Sequence, residues 1–368
     1  MDWQNLFKLG SLLESLLSFD LAIDFGSWMT RVIVKDKGLV IKEPTVIARQ
    51  KKRLPPEMMA ISGSRRQVLA IGKKAYQMIG KEPAGVEVVR PIKHGVVVDF
   101  DSAFALLDHF FSLIKEIPRR FPQLIGPRVV VAIPSIATEV ERRALKSLLE
   151  KVGAREIFLV EKPLLAAIGI GLPIEDAGGI FLIDLGGDTV EIAVISLAGI
   201  VVGQCLKIGG QQADEALVNY LRLKYGILIG EQTALKLKEK IGSLLNEKTE
   251  QSMVVRGRDL ESGLPKSLRI KTSEVRESLV PLVQKIVISA KEVLEESPPE
   301  LTQDFLRRGI VLTGGFAQLK GIDKMITQEL GIGSWIAQDS ELAVIKGAAK
   351  LLDEPKLLKR VRLVAGLR

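Results

Sequence analysis

Two acidic residues, Asp24 and Asp184, each stand near the end of an apolar run and just before a glycine turn. The first run reads IDFGSWMTRVIV from Ile23 and the second IDLGGDTVEIAV from Ile183, so one pattern of strand, turn and strand occurs twice. Glycine permits close approach to the backbone, and outward-pointing N–H groups at such a turn suit phosphate oxygens. The repeated pattern therefore predicts two phosphate-binding turns.

The side chains around both turns extend this prediction. Carboxylates repel phosphate, so Asp24 and Asp184 are expected to hold Mg²⁺, directly or through its water shell. Ser27, Thr30 and Thr189 add hydroxyl donors. A third glycine turn, in VLTGGFAQLKG, precedes a helix and suits a ribose and base. We therefore expect hairpins from opposite lobes to face each other and hold one nucleoside triphosphate.

Composition limits the possible classes of function. At 368 residues with 47% apolar residues, the chain is long enough for two folded lobes. Aromatic residues are only 5%, which argues against a stacking surface for single-stranded nucleic acid. One cysteine and two histidines are too few for a zinc site of the usual ligands. We expect neither a nucleic-acid partner nor zinc chemistry, and Cys205 alone suits a reducing cytoplasm.

The ends of the chain carry candidate membrane elements. The opening stretch MDWQNLFKLGSLLESLLSF lacks the features of a secretory signal and is too short and polar to span a bilayer. At helical spacing its apolar residues share a broad arc, and the candidates for lipid contact are Trp3, Leu6, Phe7, Leu13, Leu16 and Leu17. An interfacial helix is favoured, although the net negative charge of this stretch supports the alternative, a helix packed on the body.

The excess positive charge lies mostly at the other end. The formal net charge is +8, and five basic residues without an acid occupy the last stretch: Lys356, Lys359, Arg360, Arg362 and Arg368. The favoured interpretation is a solubilising, frayed end. Contact with anionic lipid is the alternative.

Several further blocks carry a family resemblance. They include KGLVIKEPTVIA, VVRPIKHGVVVDFD, PRVVVAIPSIATEVERRAL, RGRDLESGLPK and RGIVLTGGFAQLKGID. With the two hairpins, they resemble the actin superfamily and, within it, the MreB-like bacterial actin homologues over nearly the full length. RGRDLESGLPK distinguishes that family from actin-fold sugar kinases and heat-shock chaperones.

The resemblance implies an α/β, actin-like (ribonuclease H-like) fold, with two lobes in four subdomains around a nucleotide cleft. The corresponding boundaries are residues 20–42 plus 89–177 for subdomain IA, 43–88 for IB, 178–210 plus 272–352 for IIA and 211–271 for IIB. Residues 1–19 form the N-terminal amphipathic helix and 353–368 the basic C-terminal tail.

The resemblance also implies a cellular role. Family members use ATP to assemble into paired protofilaments on the inner face of the cytoplasmic membrane, where they determine cell shape. The expected partners are further copies of the chain, the lipid surface, paralogues and the cell-wall synthesis machinery. A loop at Arg119–Gly126 lies where some members carry an apolar membrane contact, with Phe121 at its tip. A plain connection is an equal alternative for that loop.

The candidate nucleotide site departs from the family pattern at the phosphates. Trp28 and Met29 stand where small or amide residues are usual, and Asp188 replaces a glycine of the second turn. Lys162 occupies the position of the glutamate that orients the attacking water. A charged lysine cannot accept a proton, although it can neutralise phosphate or pair with Asp188. Glu161 is one residue away and, on a strand, points to the other face.

Two further departures concern the adenosine. Leu235 replaces the acid three residues before Lys238, and Phe316 replaces a glycine, where it either stacks on adenine or fills the pocket. The complete predicted nucleotide-binding set is Asp24, Gly26, Ser27, Trp28, Met29, Thr30, Asp184, Gly186, Gly187, Asp188, Thr189, Lys238, Gly314, Gly315 and Phe316.

The resemblance implies a cytoskeletal filament protein that binds ATP or ADP with Mg²⁺, and these departures predict that it hydrolyses ATP weakly or not at all. No residue is a convincing catalytic acid or base, so the chain is at most a slow ATPase. A non-filamentous membrane adaptor is the alternative, and an actin-fold phosphotransferase is a further one. The expected location is cytoplasmic, peripheral on the inner membrane face.

Overall fold

The computed structural model describes residues 19–52, 66–117, 125–246 and 250–365. They form two compact units, one reaching to Gly169 and resuming at Val344, the other comprising Ile170–Ala343. The predicted membrane-contacting residues Trp3, Leu6, Phe7, Leu13, Leu16, Leu17 and Phe121 lie outside the described residues. Within the described ranges, no helix is long and apolar enough to cross a bilayer. The division into four subdomains stays a prediction.

The main sheet of the first unit is built around the first hairpin. Its strands are β1 (Leu21–Phe25), β2 (Met29–Val34), β3 (Gly38–Pro44), β9 (Arg128–Ile133) and β10 (Glu156–Glu161), in the order β10-β9-β1-β2-β3. β1 pairs antiparallel with β2 and parallel with β9. All five residues of β1 are buried, whereas β2 alternates between buried and half-buried, as its sequence pattern predicts.

The remaining elements of this stretch cover the sheet or form a small sheet. The small sheet has the order β5-β4-β6 and consists of β4 (Ile47–Gln50), β5 (Val68–Ile71) and β6 (Val86–Val89). Helix α1 (Lys73–Tyr76) lies between β5 and β6 in the chain. The short hairpin of β7 (Ile92–Lys93) and β8 (Val96–Val97) follows β6. The larger helices are α2 (Phe100–Lys115), α3 (Glu139–Lys151) and α4 (Lys162–Gly169). The spacing of Thr138 and Glu141 in the sequence predicts a capping box, and the structure contains it at the start of α3.

The second unit repeats the arrangement around Asp184. Its main sheet contains β11 (Ile180–Leu185), β12 (Val190–Ser196), β13 (Gly199–Leu206), β17 (Ile310–Thr313) and β18 (Ser334–Ile336), in the order β13-β12-β11-β17-β18. β11 pairs antiparallel with β12 and parallel with β17, as β1 does with β2 and β9. The predicted repetition of the hairpin is thus confirmed, with each aspartate on a central strand.

The other elements of the second unit differ from the sequence prediction at one helix. They are α5 (Gly210–Tyr225), β14 (Ile227–Leu228), α6 (Glu231–Ile241), β15 (Ser252–Asp259), β16 (Pro265–Lys271), α7 (Thr272–Glu296), α8 (Pro299–Arg308) and α9 (Ile322–Leu330). The sequence predicts one helical stretch over 211–245, but Gly226 adopts a left-handed conformation with φ of 60° and ends α5. β14 then joins the sheet β14-β15-β16.

The C-terminal elements correct another prediction. α10 (Ala343–Asp353) is followed by α11 (Pro355–Ala365), where the sequence predicts a frayed tail. Leu357, Leu358 and Val361 are buried at helical spacing, and Pro355 is tolerated at the first helical position. Both helices from Val344 onward belong to the first unit.

Candidate phosphate-binding turns

The first turn joins β1 to β2 through Gly26, Ser27 and Trp28. A Cβ on Gly26 would lie 2.8 Å from the Met29 carbonyl oxygen, so the turn requires glycine there. Ser27 is buried, and its hydroxyl oxygen accepts a hydrogen bond from the Gly95 N–H at 2.9 Å. Its own hydroxyl proton is not used in that bond, which is consistent with the predicted donor role.

Thr30 supports the turn through its hydrogen bond with Thr45. It is fully buried, and its hydroxyl lies 2.9 Å from that of Thr45, which donates to the Gly26 carbonyl at 2.6 Å. Because Thr45 has one hydroxyl proton, Thr30 must donate in their mutual bond. In this arrangement Thr30 gives its proton to Thr45, and its role as a phosphate donor stays a prediction.

Trp28 is held by the small sheet and its helix. Its ring makes an edge contact with that of Tyr76, with centroids 5.8 Å apart, and the Arg90 guanidinium carbon lies 4.5 Å from its centroid. A cation–π contact of this kind is worth about 0.5–2 kcal/mol. These contacts attach the bulky Trp28 side chain to Tyr76 of α1 and to Arg90. Met29 begins β2 and is half-buried.

Lys162 lies beside the first turn. It begins α4 directly after β10 and is only 8% exposed. A Cβ built on Gly95 would lie 3.2 Å from the Lys162 Nζ, and Gly95 is the residue whose N–H bonds Ser27. The neighbouring acid Glu161 instead pairs with Arg142, with 3.5 Å between nitrogen and oxygen. The Lys162 ammonium, and not the Glu161 carboxylate, therefore lies beside this turn.

An arginine that we did not predict faces Asp24. Arg31 stands directly opposite Asp24 in the β1–β2 register, and its Nη1 lies 3.2 Å from Oδ2 of the aspartate. The two side chains are only 12% and 11% exposed. Directly opposed residues of an antiparallel pair share one face of the sheet. The pair was detectable in the sequence only once the length of the turn, and hence the register, was known.

The second turn joins β11 to β12 over residues 186–189. One oxygen of Asp184 accepts the Thr313 hydroxyl at 2.8 Å, and the residue opposite Asp184 in the register is Glu191, which is fully buried. The Gly186 N–H donates to the Thr189 carbonyl at 2.9 Å and closes the turn. Thr313 and Glu191 are members of this site that sequence reasoning missed.

Asp188 is held by the start of α5. It is buried, and the Gln212 side-chain amide donates to its Oδ1 at 3.4 Å. The N–H groups of Gly210 and Gln211 donate to the carbonyls of residues 186 and 187, at 3.1 and 2.7 Å. A Cβ on Gly209 would lie 2.8 Å from the Asp188 nitrogen, so the closeness of this contact depends on glycine.

Lys238 has an acidic partner on the neighbouring helix. Its Nζ lies 2.8 Å from the Asp214 Oδ1 and donates to the Gly210 carbonyl at 2.5 Å. Burial raises the pKa of Asp214 from 3.8 to about 6, although the charge of Lys238 acts in the opposite direction. Lys238 therefore pairs with an acid on α5, Asp214, although Leu235 replaces the acid expected on α6.

The third glycine turn follows β17. Gly314 has φ of 86°, and a Cβ there would lie 2.2 Å from the Leu185 carbonyl oxygen, so this residue must be glycine. A Cβ on Gly315 would meet nothing within 4 Å. Phe316 is 5% exposed and belongs to the core of the second unit, with its ring centroid 5.8 Å from the Lys238 Nζ. This burial favours the second of its two predicted roles, filling the pocket, and the choice between them stays a prediction.

The two predicted metal ligands differ in their fit to Mg²⁺. Asp184 lies opposite the acid Glu191 in the strand register, and a pair of carboxylates suits an ion that keeps much of its water shell. Asp24 is already paired with the Arg31 guanidinium, and a cation bound to the same carboxylate would be repelled by it. In the part of the chain that the structure describes, no three His, Cys, Asp or Glu side chains converge as a metal cage.

Comparisons with known proteins agree over nearly the whole chain. The family model described as MreB/Mbl protein matches residues 18–360. Cell shape-determining protein MreB of Escherichia coli (strain K12) is 41% identical over 340 residues, covering 92% of this chain and 95% of the relative. Cell shape-determining protein Mbl of Bacillus subtilis (strain 168) is 37% identical over 342 residues, covering 93% and 98%. The crystal structure of MreB5 of Spiroplasma citri bound to ADP matches with a TM-score of 0.83 and 34% identity, covering 94% and 98%.

Proposed function

Because the chain belongs to the MreB/Mbl family, we propose that it forms nucleotide-bound filaments at the inner face of the cytoplasmic membrane. The chain has the actin-like α/β fold and is an MreB-like cytoskeletal protein of the cell shape-determining class. We infer that further copies of the chain assemble into paired protofilaments. Family membership makes paralogues and the cell-wall synthesis machinery the further candidate partners.

ATP and ADP are the proposed ligands. The Spiroplasma citri relative is described as bound to ADP. The backbone of the glycine turns and the Ser27 hydroxyl are suited to phosphate oxygens. Asp184 is the proposed contact of a hydrated Mg²⁺, beside the Thr313 hydroxyl. Mg²⁺ in such a site would offset phosphate charge, while the turns orient the phosphates.

The position of Lys162 is the single observation that carries the proposal of weak hydrolysis. Hydrolysis needs a group that accepts a proton from the attacking water, and a charged lysine has no free lone pair for it. Lys162 lies beside the Ser27 turn, while Glu161 pairs with Arg142. The ammonium would stabilise bound phosphate without activating water, so nucleotide would remain bound and largely uncleaved.

One experiment tests assembly, membrane binding and turnover together. Purified chain is sedimented at fixed salt with ATP, with ADP and without nucleotide, and is viewed on anionic liposomes by electron microscopy while phosphate release is measured. Nucleotide-dependent filaments with little phosphate release support the proposal. Liposome binding without filaments in any nucleotide state favours a non-filamentous adaptor, and rapid phosphate release refutes the proposed loss of hydrolysis.

A further inference from the structure

Arg31 gives the first turn an internal cation at the carboxylate predicted to hold metal. The antiparallel register places it directly opposite Asp24, and the Arg31 Nη1 is 3.2 Å from the Asp24 Oδ2. Asp24 lies on the central strand of the main sheet of the first unit and Arg31 on the strand paired with it, so backbone hydrogen bonds hold the two residues opposite each other. The ion pair is therefore part of the hairpin and does not depend on a mobile loop.

Burial strengthens the consequence of this pairing. Each side chain is close to nine-tenths buried, so water screens their attraction only weakly. A metal ion that used Asp24 would have to share the carboxylate with the guanidinium or displace it. Displacement would separate a buried cation from the carboxylate with which it is paired, which is unfavourable. Asp24 is consequently a poor ligand for Mg²⁺ in this chain.

A second cation lies beside the same turn. The Lys162 Nζ lies next to Gly95, which in turn donates its N–H to the Ser27 hydroxyl oxygen. The first turn thus combines backbone amides, a serine hydroxyl and the Lys162 ammonium, with the Asp24 charge already compensated by Arg31. By contrast, Asp184 in the second unit has an acid, Glu191, opposite it in the register.

We propose that Arg31 takes the place of the metal ion at Asp24, so that the first turn binds nucleotide phosphates through amino-acid cations and not through Mg²⁺. This inference rests on the proposed nucleotide-binding function. Its consequence is that removal of Mg²⁺ weakens nucleotide binding much less in the wild-type chain than in a chain without the Arg31 charge. A metal contact at Asp184 would contribute equally in both chains.

The test compares the affinity of the full chain for a fluorescent ATP analogue in Mg²⁺ and in EDTA. The measured quantity is the ratio of the dissociation constant in EDTA to that in Mg²⁺. Arg31→Gln removes the charge and keeps an amide that can donate to Asp24. We expect this variant to raise the ratio about tenfold, since close charge pairs commonly couple by that much or more. Arg31→Lys retains the charge and should keep the wild-type ratio.

The matched control is Arg128→Gln. Arg128 donates from Nε to Asp20 at 3.0 Å on the same main sheet, at the end of β1 far from the turn. Its loss changes the net charge equally and should leave the ratio at the wild-type value. An unchanged ratio in Arg31→Gln overturns the inference, as does an equal rise in Arg128→Gln. Circular dichroism establishes that each variant is folded.

A second variant keeps the test decisive if Arg31→Gln does not fold. The double change Asp24→Asn with Arg31→Gln makes the pair neutral. If Asp24 holds no metal, this variant keeps the wild-type ratio, and a fall in the ratio shows that Asp24 held the ion and overturns the inference. Absence of binding by the wild-type chain in both conditions refutes nucleotide binding itself, and with it this inference. Binding with no effect at Arg31 refutes the inference alone.

Discussion

Replacing Lys162 with glutamate would put a carboxylate beside the Ser27 turn, in the position from which a family member orients water. Because a carboxylate can accept a proton from water and an ammonium cannot, we expect phosphate release at saturating ATP to rise at least about tenfold. The measurement is inorganic phosphate released with time by the full chain. Lys146→Glu makes the same charge change at an exposed position of α3 and should release phosphate at the wild-type rate. An unchanged rate in Lys162→Glu would reject the account of the missing acid.

The Asp214–Lys238 pair predicts a pH dependence of stability. Burial raises the pKa of Asp214 to about 6, so the folded protein holds this proton at a pH where the unfolded chain has lost it. The free energy of unfolding should therefore fall as pH rises from about 4 to about 6, and this group contributes about 3 kcal/mol to the fall. Urea unfolding across that range measures it.

Asp214→Asn removes the titrating carboxyl and should flatten that part of the profile. Asp108→Asn, at an exposed position of α2, is the control and should leave the profile unchanged. If the wild-type chain and Asp214→Asn lose the same free energy between the two pH values, burial does not raise the pKa of Asp214 as described.

At the residue scale, the sequence indicates the chemical type of a site better than it indicates which side chains form hydrogen bonds with each other. The aspartates and glycines of both turns are identifiable from residue type and spacing, and so is the direction of Glu161 away from Lys162. Three hydrogen-bonding partners are not identifiable in this way: Arg31 for Asp24, Thr45 for Thr30 and Thr313 for Asp184. Each comes from another strand or segment, and strand register depends on backbone geometry that residue types do not specify.

The contact between α10 and α4 allows a prediction at the scale of elements. A Cβ on Gly347 would lie 1.8 Å from the Leu165 carbonyl oxygen, so alanine there must push the helices apart. We expect Gly347→Ala to lower the free energy of unfolding by about 3 kcal/mol, as overpacking against backbone does. Gly85→Ala adds the same methyl group where nothing lies within 4 Å and serves as the control. Equal unfolding midpoints for the two variants in urea would contradict the prediction.

Elements are predictable where a local rule determines them. The capping box at Thr138 and the two hairpins follow from short-range patterns, and the structure contains both. The break after α5 and the helix α11 do not follow in the same way. A single glycine such as Gly226 does not by itself interrupt a helical sequence pattern, but in the structure its left-handed backbone ends α5. The leucines of α11 are buried, although the charged stretch around them resembles an exposed tail. The left-handed backbone of Gly226 decides the first case, and the burial of Leu357 and Leu358 decides the second.

At the scale of the whole chain, the repeated arrangement links fold to proposed function. Each unit places an aspartate on a strand flanked by an antiparallel and a parallel neighbour, and each follows it with a glycine turn. The sequence departs from the expected family pattern at or beside the turns and once on α6, at Trp28, Met29, Lys162, Asp188, Phe316 and Leu235, while the strands that carry the turns are present. We propose that this chain retains the framework for nucleotide-dependent assembly and that its altered side chains change the charge of the turns and their ability to activate water.

Membrane attachment can be tested by removing the N-terminal segment. The sequence predicts that the segment before residue 19 binds lipid through its apolar arc, so a chain lacking residues 1–18 should no longer sediment with anionic liposomes. The truncation stops short of Phe19 because that residue is buried in the core of the first unit. The control is Lys356→Glu with Lys359→Glu, which reverses two exposed charges of α11 and should retain liposome binding. Sedimentation without liposomes, with ATP present, separates loss of attachment from loss of assembly. If the truncated chain still binds while the α11 variant does not, the basic helix is the lipid contact, and the N-terminal anchor is refuted.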